Sequence, residues 1–104
     1  MDKAAVVERV RRYAELVRHD FDVEQVILFG SHVSGTAREG SDIDVAVVVR
    51  RLKGNWLSAA ARMHKLTRDV DVSIEPVIFQ QGRDQSGFLR QILETGEIIY
   101  SRGS

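Results

Sequence analysis

Apolar residues recur at helical spacing from the start of the chain. Val6, Val7, Val10, Tyr13, Ala14 and Val17 alternate with Arg9, Arg11, Arg12, Glu15 and Arg18. An apolar stripe of this kind predicts an amphipathic helix over roughly residues 3–18. The period then changes. Gln25-Val26-Ile27-Leu28-Phe29 is a short apolar run stopped by Gly30, as expected of a buried strand. Ser31 to Gly40 is small and polar, a loop or a short helical turn. Asp42 to Val49 is apolar or β-branched apart from two aspartates, which predicts a central strand.

A break at Lys53-Gly54-Asn55 offers Asn55 as an N-cap. Trp56, Leu57, Ala60, Ala61, Met63 and Leu66 then predict a second helix, with Trp56 in the core. Val70 to Phe79 reads as a third strand, in which Pro76 marks interrupted pairing or an outer edge. Gln80 to Asp84 reads as a turn. Phe88, Leu89, Ile92 and Leu93 mark a third helix closed by Gly96 as a left-handed cap. Glu97 to Tyr100 gives a last strand, and Ser101 to Ser104 a frayed, disordered tail. The order α-β-(turn)-β-α-β-α-β predicts one α/β domain over 1–104, a small mixed β-sheet with helices packed against it.

Composition narrows the chemistry. Lys+Arg and Asp+Glu both number 15 in 104 residues, so no global field favours a long polyanion such as nucleic acid. With no cysteine there is no disulfide, thiolate ligand or cysteine nucleophile. No apolar run approaches the ~18 residues needed to span a bilayer, and no signal sequence is evident. The expectation is a soluble cytoplasmic protein with no membrane partner.

The chemistry concentrates in one stretch. Ten residues separate Gly30-Ser31 from Asp42-Ile43-Asp44. Side chains two apart on a strand share a face, so Asp42 and Asp44 stand side by side. Like charges that close repel unless a cation lies between them. Hard divalent cations take oxygen ligands, often one or two carboxylates with substrate phosphates. The pattern points to a metal–nucleotide site.

Gly30-Ser31, Gly35, Ser41 and Asp42-Ile43-Asp44-Val45, with acids on a later strand, resemble the minimal nucleotidyltransferases (MNT) of the DNA polymerase β superfamily. The resemblance extends over nearly the whole chain and implies a polymerase β-like nucleotidyltransferase core. It implies that Gly30 lets the backbone approach a phosphate and that the Ser31 hydroxyl donates to the β- or γ-phosphate of ATP. His32, Arg38 and Ser41 join them as nucleotide-binding residues. His32 stands where many relatives have arginine, and Arg38 is a substitute source of charge. Asp42 and Asp44 would bridge two Mg²⁺ ions, ~3.5–4 Å apart in such sites. The third catalytic acid and metal ligand is assigned to Asp71, with Glu75 in reserve because some short relatives carry Ile-Glu-Pro, as Ile74-Glu75-Pro76 does here. On a strand beginning at Val70, Asp71, Ser73 and Glu75 share one face.

Blander readings exist for each residue. The aspartate pair could be strand-end acids accepting turn hydrogen bonds, although unpaired charge in an apolar strand is costly. Gly30-Ser31 could be an ordinary cap, and Asp71 or Glu75 a solvated acid. His32 could be a solvated loop residue. Arg50, Arg51 and Lys53 read as a solvated turn. The resemblance further implies an antitoxin that transfers AMP to a tyrosine hydroxyl of a HEPN-domain toxin supplied in trans. The alternatives are a module that neutralises such a partner by contact alone, or transfer to a small-molecule acceptor.

Overall fold

The computed structural model describes residues 1–84 and 86–103. Helix α1 spans Lys3–Asp20, strand β1 Val23–Phe29, the single-turn helix α2 Ser31–Ser34 and strand β2 Ile43–Val49. Helix α3 covers Trp56–Leu66 and runs into a 3-10 turn, Thr67–Asp69. Strand β3 (Ile74–Gln80), helix α4 (Phe88–Thr95) and strand β4 (Glu97–Ser101) complete the chain. The sheet order is β3-β2-β1-β4. β1 runs antiparallel to β2 and β4, and β2 runs parallel to β3, so the sheet is mixed as its alternating helices and strands predict.

The sheet carries helices on both faces. Val6, Val10, Tyr13 and Val17 of α1, with Met63 of α3, pack on Val26, Leu28, Val45 and Val47 in the larger core. The Tyr13 hydroxyl donates to the Met63 carbonyl at 2.7 Å, so this polar atom driven into the core is satisfied. The opposite face is thinner: Ile27, Ala46 and Val48 meet Leu89 and Ile92 of α4, with Phe29 and Phe79 packed at the margin. Side-chain alternation along β2 therefore sends Ile43, Val45, Val47 and Val49 to α1 and α3, and Asp44, Ala46 and Val48 toward α4.

The helix ends follow local chemistry. Asp2 accepts from the Ala5 N–H and Asn55 from the Ser58 N–H, both at 2.8 Å, so each capped helix starts where an orphan donor is filled. Asp84 caps α4 by accepting from the N–H groups of Leu89 and Arg90, a role hidden in what reads as a plain turn.

Four expectations need correction. β3 begins at Ile74, not Val70, because the Ser73 N–H is taken by the Asp71 carboxylate and is lost to a ladder. Trp56 is 48% exposed at the start of α3 rather than in the core. Gly96 has φ −85 and is no left-handed cap. A Cβ there would lie 2.6 Å from the Ile92 carbonyl oxygen and 2.8 Å from Ile27 Cγ2, so it is glycine for lack of room. Finally, β4 includes Ser101, and the Arg102 N–H bonds the Glu24 carbonyl at 2.9 Å. The chain is thus paired further than the frayed tail implies, while Ser104 lies outside the described residues.

Candidate active site

Three residues form one row across the sheet. Phe29, the last residue of β1, pairs with Asp44 of β2, and Asp44 stands in register with Glu75 of β3. The row continues the α4 face past its apolar cluster of Ile27, Ala46 and Val48. Asp44 is half-buried and Glu75 exposed, so the carboxylates open to solvent from a rigid sheet. Asp42 is exposed just before β2, where the neighbouring Ile43 N–H bonds the Ser73 carbonyl at 2.9 Å and fixes the strand entry.

Gly30 adjoins this row. Its φ of 81 lies in the left-handed region, which side chains disfavour. A Cβ at this position would fall 2.3 Å from Asp44 Oδ2, so the carboxylate occupies the space that any other residue would fill. The Gly30 carbonyl accepts from the N–H groups of Val33 and Ser34 at 3.0 Å, which curls Ser31–Ser34 into one turn. Gly35, at φ 84, ends it. The glycine thus brings bare backbone to the edge of the acid row.

The loop between α2 and β2 holds the remaining sequence-predicted residues. His32 Nε2 lies 3.4 Å from the Ser41 carbonyl oxygen, which ties the turn to the approach of β2. The Ser41 hydroxyl accepts from the Arg38 N–H at 2.8 Å, and the Ser41 N–H returns to the Arg38 carbonyl at 2.9 Å. Ser41 therefore shapes the loop with its hydroxyl, and Arg38 is left exposed on the rim.

The electrostatics mark Asp44 out. Burial, followed by the negative charges of Asp42 and Glu75, raises its pKa from the ordinary carboxylate value, and nearby His32 opposes them. Among the described residues, no three acidic or imidazole groups are already drawn into a metal cage. The acids instead stand open with a shortage of positive charge between them. An all-oxygen donor set with that deficit fits a hard divalent cation, completed by phosphate or water oxygens.

Asp71 is occupied differently. It lies in the turn before β3, where Arg9 of α1 donates to one carboxylate oxygen and the Ser73 hydroxyl and N–H to the other. Burial pushes its pKa up, but Ser73 and Arg9 outweigh that and leave it below the usual range. The expected face shared by Asp71, Ser73 and Glu75 does not exist, because the strand starts after the first two. Sequence reasoning missed Arg9, which looks like any other cation on the polar side of α1. Phe88, read in the sequence as a helix residue, has its ring edge-on to those of Phe29 and Phe79 with centroids 5.9 and 5.6 Å away.

Comparison with known proteins gives the family and the fold. The family described as polymerase beta, nucleotidyltransferase matches residues 12–104, and the chain belongs to that family. It is 32% identical over 94 residues to the "putative protein adenylyltransferase MJ1305" of Methanocaldococcus jannaschii. The match takes in 78% of this chain and 60% of that protein, so the chain spans about 60% of the length of its curated relative. The fold superposes on a "putative nucleotidyltransferase" of Sulfolobus solfataricus with a TM-score of 0.71 at 19% identity, covering 96% and 84% of the two chains. It also matches, with a TM-score of 0.61 at 24% identity, a chain of the complex of tri-AMPylated Shewanella oneidensis HEPN toxin with MNT antitoxin, covering 89% and 70%. A toxin–antitoxin structure with AMP-PNP gives a TM-score of 0.63 at 23% identity, covering 99% and 76%. At these identities the solved structures establish the fold alone.

Proposed function

We propose that the protein is a Mg²⁺-dependent nucleotidyltransferase that moves AMP from ATP to a tyrosine hydroxyl of a HEPN-domain toxin, acting as its antitoxin. The observation that carries the reading is the row of acids, Asp44 beside Glu75 with Asp42 at the strand entry, set against the bare backbone of Gly30. Asp42, Asp44 and Glu75 would hold the divalent cation, two ions as the sequence resemblance implies, and the bound metal would neutralise triphosphate charge. Glu75 replaces Asp71 in this set, since Asp71 already accepts from Arg9 and Ser73 of its own chain.

The residues divide the remaining work. Gly30 and Ser31 hold the phosphates, with Arg38 on the rim and His32 beside Asp44 supplying positive charge or hydrogen bonds. The acceptor oxygen forms a bond to the α-phosphorus as the bond to the bridging oxygen breaks, and pyrophosphate leaves. The acceptor proton passes to a Glu75 carboxylate oxygen. Positioning and charge neutralisation carry most of the rate in such transfers. The adenylyltransferase relative and the fold shared with antitoxin complexes support AMP and a protein acceptor.

The test uses the protein, Mg²⁺, α-labelled ATP and a HEPN protein. The double variant Asp42→Asn with Asp44→Asn should abolish label transfer while keeping the far-UV spectrum. Undiminished transfer by a folded double variant would remove the enzymatic reading. Neutralisation of the partner by that inactive variant would favour action by contact alone.

A further inference from the structure

A cleft of about 400 Å³ opens between α2 and α4, with Phe29, Gly30 and Val33 on one side and Phe88, Gln91 and Thr95 on the other. Gly30 is common to this cleft and to the edge of the acid row. Phe88 is a large apolar side chain left 43% exposed at its mouth. Its ring stands at 88° to that of Phe29, so the two present a corner made of one face and one edge. A flat heteroaromatic ring gains on both counts, stacking on the face and meeting the edge, the two geometries aromatic pairs prefer. Gln91 and Thr95 follow Phe88 on α4 at helical spacing and bring polar groups to the same wall.

We infer that this cleft is the nucleobase pocket, with Phe29 and Phe88 as its stacking corner and Gln91 as its polar wall. The inference rests on the proposed nucleotide site and deepens it. Phosphates at Gly30–Ser31 leave the rest of the nucleotide two directions, over the charged acids or into this cleft. Only the cleft offers an apolar ring a place out of water. Pockets that bind flat ligands are of this size and combine aromatic walls with a few polar groups.

The experiment separates base from phosphate. Binding of a nonhydrolysable ATP analogue and of inorganic tripolyphosphate is titrated with Mg²⁺ present, for the unmodified protein, Phe88→Ala and the surface variant Gln91→Ala. Base–aromatic stacking is strong enough that Phe88→Ala should weaken the analogue by about tenfold. Gln91→Ala should weaken it by about threefold, an order-of-magnitude figure for one exposed hydrogen bond. Tripolyphosphate affinity should not move in either. Magnetisation transfer from adenine H2 or H8 to the Phe88 ring in the unmodified protein gives a direct check that needs no variant. Unchanged analogue affinity in folded Phe88→Ala, or adenine contacts confined to other residues, overturns the pocket alone. Variants that keep nucleotide affinity but lose transfer would assign the cleft to the acceptor ring instead, and also overturn it. If the unmodified protein binds neither ligand, the nucleotide site itself falls, and the pocket with it.

Discussion

Asp44 and Asp71 are both aspartates close to the β2–β3 side of the sheet, and they live in opposite surroundings. Asp71 accepts from Arg9 and twice from Ser73, and its pKa is held low. Asp44 lies against Gly30 with Asp42 and Glu75 as neighbours, and its pKa is pushed up. One charge meets donors from its own chain, and the other stands among charges of its own sign. A carboxylate that already accepts three hydrogen bonds has less acceptor capacity left for a metal than one with none. The difference separates a carboxylate that ties a turn to a helix from one crowded by other acids.

The sharpest way to break this contrast is kinetic. Glu75→Gln should lower AMP transfer by about a hundredfold, the scale on which single preorganised charges act in a transition state. Asp71→Asn should leave transfer within about twofold per folded molecule. The check is initial rates of label transfer corrected for folded fraction, and the reverse ranking would return the third-acid role to Asp71.

The next effect is on stability. Asp71→Asn should destabilise the protein by about 1–2 kcal/mol at neutral pH, less than a fully buried pair would show because Arg9 is partly exposed. The folded pKa of Asp71 is depressed below its ordinary value of 3.8. Its contribution is therefore present above that ordinary value and lost as pH falls through the folded one. Urea midpoints of the two proteins should converge in acid.

The smallest effect has the opposite sign. The folded pKa of Asp44 is raised above 3.8, so its contribution is full below that value and lost as pH rises through the raised one. Asp44→Asn should therefore stabilise the metal-free protein at neutral pH by a few tenths to about 1 kcal/mol, and bring no gain in acid. Adding Mg²⁺ should narrow the gap by stabilising the unmodified protein. A destabilised Asp44→Asn variant at neutral pH would show that Asp44, like Asp71, is satisfied by its own chain.

The element order was readable because packing and pattern agree. Val6, Val10, Tyr13 and Val17 bury along one side of α1, and β2 is nearly continuous apolar sequence held between two layers. The acid pair and the glycine could be found because their chemistry is local. The start of β3 was not readable. Val70-Asp71-Val72-Ser73-Ile74 alternates like a strand, yet Val72 is 73% exposed and the Asp71 side chain captures the Ser73 N–H. Arg9, which donates to Asp71, lies 62 residues away, and nothing in the chain's local pattern announces such a pairing. Trp56 misled for a similar reason: helical spacing gives an azimuth, but a first-turn residue can still project past the sheet it points toward.

Pro76 on β3 has a consequence for the whole rim. The Gln81 N–H reaches the Val49 carbonyl on the β2 side, so alternation sends the N–H direction of residue 76 outward. Proline has no hydrogen there to give, and the outermost strand is missing a rung in its row of donors. A foreign strand zipping along this border would meet that gap one residue from Glu75. Sheet growth by edge-to-edge stacking is thereby discouraged beside Glu75, and the margin stays open to visitors that come as side chains.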